Sequence, residues 1–138
     1  MQANPKSKVI TQCGKEFMGF PCWTPDSKFV AVEGKRGDDT QLFLIPAEGG
    51  PAIQLTHDHG QDWLRDVSPD GDKIVFAGQR NGIWNIWWVS RRDGKEKQIT
   101  NFTSLNSYVR YPSWSPRGDQ IVYESSQTTG NVWMMKLN

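Results

Sequence analysis

The sequence predicts an all-β chain built from repeated four-stranded antiparallel units, and three observations carry that expectation. Seven tryptophans stand with thirteen glycines and eight prolines among 138 residues, a mix of large rings and turn formers that favours short strands over helices. No stretch carries a sustained helical apolar period. Three segments also align with one another: "FPCWTPDSKFVAV" from Phe20, "LRDVSPDGDKIVF" from Leu64 and "YPSWSPRGDQIVY" from Tyr111.

Each segment reads as a strand, a tight turn and a second strand. The turn prolines Pro25, Pro69 and Pro116 lie 44 and 47 residues apart, a period that suits a four-stranded propeller blade. Pro69 presets φ for the first central turn position, and Gly71 supplies the permissive backbone that closes the turn. Gly118 does the same in the third copy, whereas the first has Ser27 there, so its turn is expected to be the most strained. Beyond each turn the apolar residues alternate as Phe29 and Ala31, Ile74 and Phe76, or Ile121 and Tyr123, the period of a strand facing a core.

A third strand follows in each copy, as "TQLFLIP", "WNIWWVS" and "NVWMMKL". A fourth, ending in Leu-Thr or Ile-Thr, closes the first two copies as "AIQLT" and "KQIT". The N-terminal "SKVIT" has the same form with nothing in front of it. The expected organisation is thus one propeller segment: residues 7–11 as the fourth strand of a split blade, blades at 20–56 and 63–100, and the first three strands of the split blade at 110–138.

Charge and length exclude several classes. Sixteen basic against fifteen acidic residues leave a net charge of +1, and no basic stripe interleaves with aromatics to mark a nucleic-acid interface. The apolar runs are strand-sized, and the N-terminus shows no export signal, so a soluble chain without membrane insertion is expected. Cys13 and Cys22 are too few for a disulfide framework and match no zinc spacing; a bond between them and two free thiols both remain open.

The repeat resembles that of the TolB-like (WD-like) β-propeller family, whose blade carries Leu-Thr, a variable loop with Asp, then Pro-x-Trp-Ser-Pro-Asp-Gly, an apolar strand, and Gly before an Ile-rich strand. The third copy matches nearly throughout; the second has Arg65 and Val67 where the pattern has Pro and Trp, and the first lacks the glycine. The resemblance implies a ring of about six blades, of which three are visible; it implies a periplasmic setting only if a leader is missing from this sequence, and the compartment is otherwise left open. An open arc would leave two apolar blade faces in water. The faces are therefore expected to be covered by a second copy, as a homodimer closing a six-bladed ring, or by the missing half of a longer chain.

In a propeller the first strand of each blade lies nearest the channel, and the loops entering it gather at one mouth. The residues expected to bind a ligand there are Trp63, Arg65, Asp66, Arg110, Tyr111 and Phe20, since arginines and aromatic rings can hold an acidic or aromatic group by bidentate and stacking contacts. The competing reading is an Arg–Asp ring that only joins blades. His57, Asp58 and His59 carry metal-ligating groups, but no third ligand is placed by spacing, so no metal is expected. Asp62 is expected to cap loop N–H groups. The acids of "DVSPDGD" lack the length and terminal glutamate of a calcium loop and read as turn residues. Trp84, Trp87, Trp88 and Trp133 read as packing between blades rather than a sugar platform.

Hydrolase, metalloprotease and phosphate-loop motifs are absent from the sequence. The expectation is a non-catalytic binding or scaffold propeller without a cofactor, its partner a peptide, a protein tail or a small polar molecule. The alternative is an accessory or gating propeller of a larger serine hydrolase or peptidase, whose catalytic domain lies outside this chain.

Overall fold

A computed structural model describes residues 7–10 and 17–127. Its regular structure, among the described residues, is entirely β. The first four-stranded meander comprises β1 (Phe17–Trp23), β2 (Phe29–Arg36), β3 (Asp39–Pro46) and β4 (Ile53–Gln54); the second comprises β5 (Gln61–Val67), β6 (Lys73–Arg80), β7 (Ile83–Ser90) and β8 (Glu96–Gln98). A hairpin of β9 (Ser107–Trp114) and β10 (Ile121–Gln127) follows. Within each unit the neighbours run antiparallel, and one parallel bridge, Thr40 to Gln61, links the two meanders.

The repeated turns form as their residues dictate. Gly71 and Gly118 take φ of 77° and 74°, and Ser27 is forced to 59° at the same position, the left-handed region that a side chain disfavours. In the first two copies the turn acid binds locally: Thr24 and Ser68 donate their hydroxyls to Asp26 and Asp70 at 2.6 Å, and each carboxylate also accepts an N–H two residues on. Those bonds hold Asp26 down at about 2 and lower Asp70 as well. In the third copy Arg117 replaces the acid, and Ser115 instead donates to Asp119 at 2.8 Å.

The Leu-Thr and Ile-Thr endings have an equally local cause. Thr56 Oγ1 accepts the N–H of Leu42 at 2.9 Å, and Thr100 Oγ1 accepts that of Ile86 at the same distance. Each hydroxyl takes over where the short outer strand has ceased to pair, so the long third strand keeps its donors satisfied.

Two apolar clusters lie between successive units. Ile74 and Phe76 of β6 join Ala31, Leu42, Leu44 and Leu64 on one side, while Val75 and Ala77 join Trp84, Ile86 and Val109 on the other. This is the period-two alternation of a strand buried on both faces. Trp84 is buried within the second cluster and Trp87 packs on the first; Trp88 stacks under Lys73, 5.3 Å from its ring. Trp133 and the third strand expected at "NVWMMKL" lie outside the described residues.

The inner strands begin at Phe17, Gln61 and Ser107, ahead of the blade starts expected at 20, 63 and 110, because each runs on past a β-bulge into what reads as loop. Residues 7–10 form no strand, and Thr11 lies outside the described residues. Lys8 stands 3.8 Å from Glu48 at the corner after β3. No helix among the described residues is long and apolar enough to cross a membrane.

Candidate ligand-binding channel

The inner strands β1, β5 and β9 share one irregularity. Their register to the second strand shifts between Met18 and Cys22, between Leu64 and Asp66, and opposite Val122 and Glu124. A bulge leaves residues unpaired and re-aims their side chains. The re-aimed residues are Phe20, Arg65 and Tyr111, one from each inner strand.

These three meet. The Arg65 guanidinium carbon lies 4.5 Å from the Phe20 ring centroid and 4.3 Å from that of Tyr111, cation–π distances to both rings. Tyr111 holds φ at 55°, where a bulky residue is rare and strained. Both rings remain accessible, Phe20 at 60% and Tyr111 at 48%. The Arg65 side chain makes no hydrogen bond or ion pair to any described residue. With aromatic rings over the guanidinium, its N–H edges are the part left to meet a partner.

Arg110 lies 5.3 Å from the Tyr111 ring, and its Nη2 donates to Glu124 Oε1 at 2.6 Å. That bond and the carboxylate charge raise the arginine's pKa above its ordinary value. Arg110 is therefore bonded directly to a carboxylate, whereas Arg65 feels the buried Glu33 carboxyl only through space.

The other two expected residues point elsewhere. Asp66 Oδ2 accepts the Trp114 N–H at 2.8 Å and the Ser113 hydroxyl at 2.9 Å, and Oδ1 accepts the Val67 N–H. It ties β5 to β9 without contacting Arg65 in an ion pair, so an Arg65–Asp66 ring does not form. Trp63 leans on Trp84, with centroids 4.2 Å apart and planes tilted by 42°.

Two ionisable groups beside Arg65 were not anticipated. Glu33 is only 7% exposed, under Gly19, where an added Cβ would overlap its carboxylate. Burial pushes its pKa up to about 7, against the opposing pull of the Leu64 N–H and Arg65; Asp62 pushes it further up. Cys22, a free thiol, donates to the Arg65 carbonyl at 3.3 Å, and burial raises its pKa. The available signal was Glu33 itself, a charge at an apolar position of β2, matched in the third copy by Glu124.

The polar loop after β4 is tied down by hydrogen bonds within the protein. His59 Nδ1 lies 2.9 Å from Asp39 Oδ2, and Asp39 Oδ1 accepts the Gly60 N–H. Gln41 donates to the Asp58 carbonyl, and no group of three or more metal-ligating side chains converges among the described residues. Asp62 corrects its expected role: it is fully buried and accepts Arg80 Nη1 at 2.6 Å instead of capping loop N–H groups. Arg80 also reaches Glu96 at 3.4 Å and stacks over Trp87 at 5.3 Å. Burial, reinforced by Asp62, pushes Glu96 to about 7.

Comparison with known proteins bears on this geometry. A family model described as the TolB beta propeller domain matches residues 3–138. An uncharacterized protein of Agrobacterium fabrum is 32% identical over 75% of this chain and 34% of its own length. A tricorn protease homolog of Streptomyces coelicolor is 26% identical over 80% of this chain and 10% of its own length. The crystal structure of TolB from Acinetobacter baumannii superposes with a TM-score of 0.68 at 21% identity, over 88% of this chain and 30% of that one. The chain thus spans about a third or less of these relatives.

Proposed function

The chain belongs to the TolB β-propeller domain family, and from that premise we propose that it is a non-catalytic binding module whose channel captures an acidic group on Arg65. One observation carries this reading: the guanidinium is flanked by Phe20 and Tyr111 at 4.5 and 4.3 Å while its polar edge has no described partner. Stacked in this way, the fork is held in a fixed plane, so little rotamer entropy remains to be lost when a carboxylate binds it bidentately. The exposed ring edges would touch the apolar part of the same ligand. Asp66 and Glu124 are already engaged with Trp114 and Arg110, which leaves Arg65 as the receptor group.

The channel needs further blades to become a ring. In our reading a second copy completes six blades, with residues 7–11 extending the partner's last blade. A second reading, an accessory propeller whose catalytic domain lies outside the 138 residues, draws support from the likeness to the Streptomyces tricorn homolog. The direct test is calorimetric titration of the chain with tetra-aspartate peptide and with its neutral tetra-asparagine analogue. Binding of the acidic peptide alone, lost in Arg65→Ala and weakened in Arg65→Lys, is the expected result. Equal binding by the parent and Arg65→Ala would overturn the assignment.

A further inference from the structure

The two seams inside the chain supply a template for a third, which the chain does not itself fill. At each seam the second strand of one unit places a small or branched apolar residue against the last residues of the next unit's inner strand. Ala31 shares a cluster with Val67, and Val75 shares one with Trp114; Ala31 and Val75 are both 0% exposed. The equivalent residues at the two ends are Val122 and Trp23, which are 51% and 62% exposed. Both are exposed where their counterparts inside the chain are covered.

The turns repeat this logic. A Cβ at Gly71 would stand 3.4 Å from Pro25 of the preceding unit, and one at Gly118 the same distance from Pro69. Continuing the series brings Pro116 onto Ser27, the small residue already held at φ 59° in the glycine position. The polar rim then changes sign. Between the first two units, Asp26 on the turn pairs with Arg91 at the corner after β7, at 3.1 Å. The third unit has Arg117 where Asp26 stands, and the first unit has Ala47 and Glu48 where Arg91 and Arg92 stand. The turn member is reversed outright, while the neutral Ala47 replaces the pairing Arg91 and an acid, Glu48, stands one residue further on, so that opposite charges again face each other across an end-to-end joint.

We propose that a second copy of this chain docks head to tail, Val122 against Trp23 and Arg117 against Glu48, at two equivalent junctions about a two-fold axis. The inference rests on the two-copy ring of the preceding section and names the surface that would form it. A closed pair satisfies both faces of each chain, whereas a single junction would leave one face of each chain open and able to polymerise. Complementary charge also disfavours the wrong register, since like charges at the rim repel.

Arg117 and Glu48 expose 81% and 96% of their side chains; within the chain they meet only the exposed partners Asp119 at 3.1 Å and Lys8 at 3.8 Å, pairs worth at most about 1 kcal/mol, so exchanging them costs the fold of one chain little. Sedimentation equilibrium of the parent is expected to give twice the 15.7 kDa of one chain. R117E and E48R alone should each weaken the pair by about tenfold to a hundredfold, because each places like charges at both junctions. Mixing the two variants should restore a heterodimer, since both of its junctions are again complementary, and the double variant R117E/E48R should pair with itself. A parent that stays monomeric at every concentration overturns the proposal, as do open polymers and a dimer indifferent to the reversals. Phe20, Arg65 and Tyr111 all lie within one chain, so tetra-aspartate titration of a monomer still reads the channel site and separates the two failures.

Discussion

Asp66, near the end of one inner strand, holds the N–H of Trp114 on the next at 2.8 Å, and the same oxygen accepts the Ser113 hydroxyl. A carboxylate thus substitutes for the missing sheet pairing where two units meet only through side chains. Asp66→Ala removes the acceptor and leaves the Trp114 N–H unpaired in the seam. We expect a loss of about 1.5–3 kcal/mol, the range for hydrogen bonds to a charged group, seen as a lower urea midpoint at unchanged slope. Asp66→Asn keeps an acceptor and should lose less. An unmoved midpoint in the alanine variant would show that apolar packing alone holds the seam.

Arg80 neutralises a charge that could not otherwise stay buried. Asp62 is 0% exposed and lies 2.6 Å from Arg80 Nη1. Arg80→Ala strands that carboxylate, and breaking a buried pair from one side typically removes about 3–5 kcal/mol. Adding Asp62→Asn to the same chain should recover part of the loss, because the stranded charge is then gone. A double variant as unstable as the sum of the single variants would deny the coupling.

Much of this architecture was legible because it repeats. The turn prolines gave the period, and Ser27 was identifiable as the strained copy because its counterparts are glycines. Phe20, Arg65 and Tyr111 were visible as departures or endpoints of the pattern, although nothing in their spacing said that they would stack on one another. That contact depends on bulges, which change where a side chain points without leaving a compositional mark. Asp62 was misread for a related reason: its partner Arg80 is 18 residues away, at the far end of β6, and hairpin register alone brings them together. Glu33 stands where the first copy's apolar alternation ends, and one charge there ordinarily reads as solvated, although β2 runs on to Arg36 and carries Glu33 at its middle.

Tyr111 separates binding from stability. Its left-handed backbone costs roughly 1–2 kcal/mol, while an exposed cation–π contact returns about 0.5–1 kcal/mol. Tyr111→Gly removes both, so its urea midpoint should match or slightly exceed that of the parent. Affinity for tetra-aspartate should nevertheless fall, because Arg65 loses one of the two rings that orient it. A large loss of stability with affinity intact would mark Tyr111 as a structural residue only.

Glu33 makes stability depend on pH in a defined direction. Its carboxyl is faced by Cys22 from β1 and by Asp62, Arg65 and the Leu64 N–H from β5, and burial lifts its pKa from 4.5 to about 7. Between these values the folded chain binds the proton more tightly than the unfolded chain. Stability therefore falls as pH rises from about 4.5 to 7 and levels off above. Glu96, also raised to about 7, contributes a slope of the same sign. Glu33→Gln imitates the protonated form at every pH, so it should flatten the curve in this window by about 1–3 kcal/mol and leave the variant more stable than the parent at pH 8. Urea midpoints of both chains measured from pH 4.5 to 8 check this: parallel curves would place the Glu33 carboxylate in contact with water, and a steeper slope in the variant would reverse the sign of its contribution.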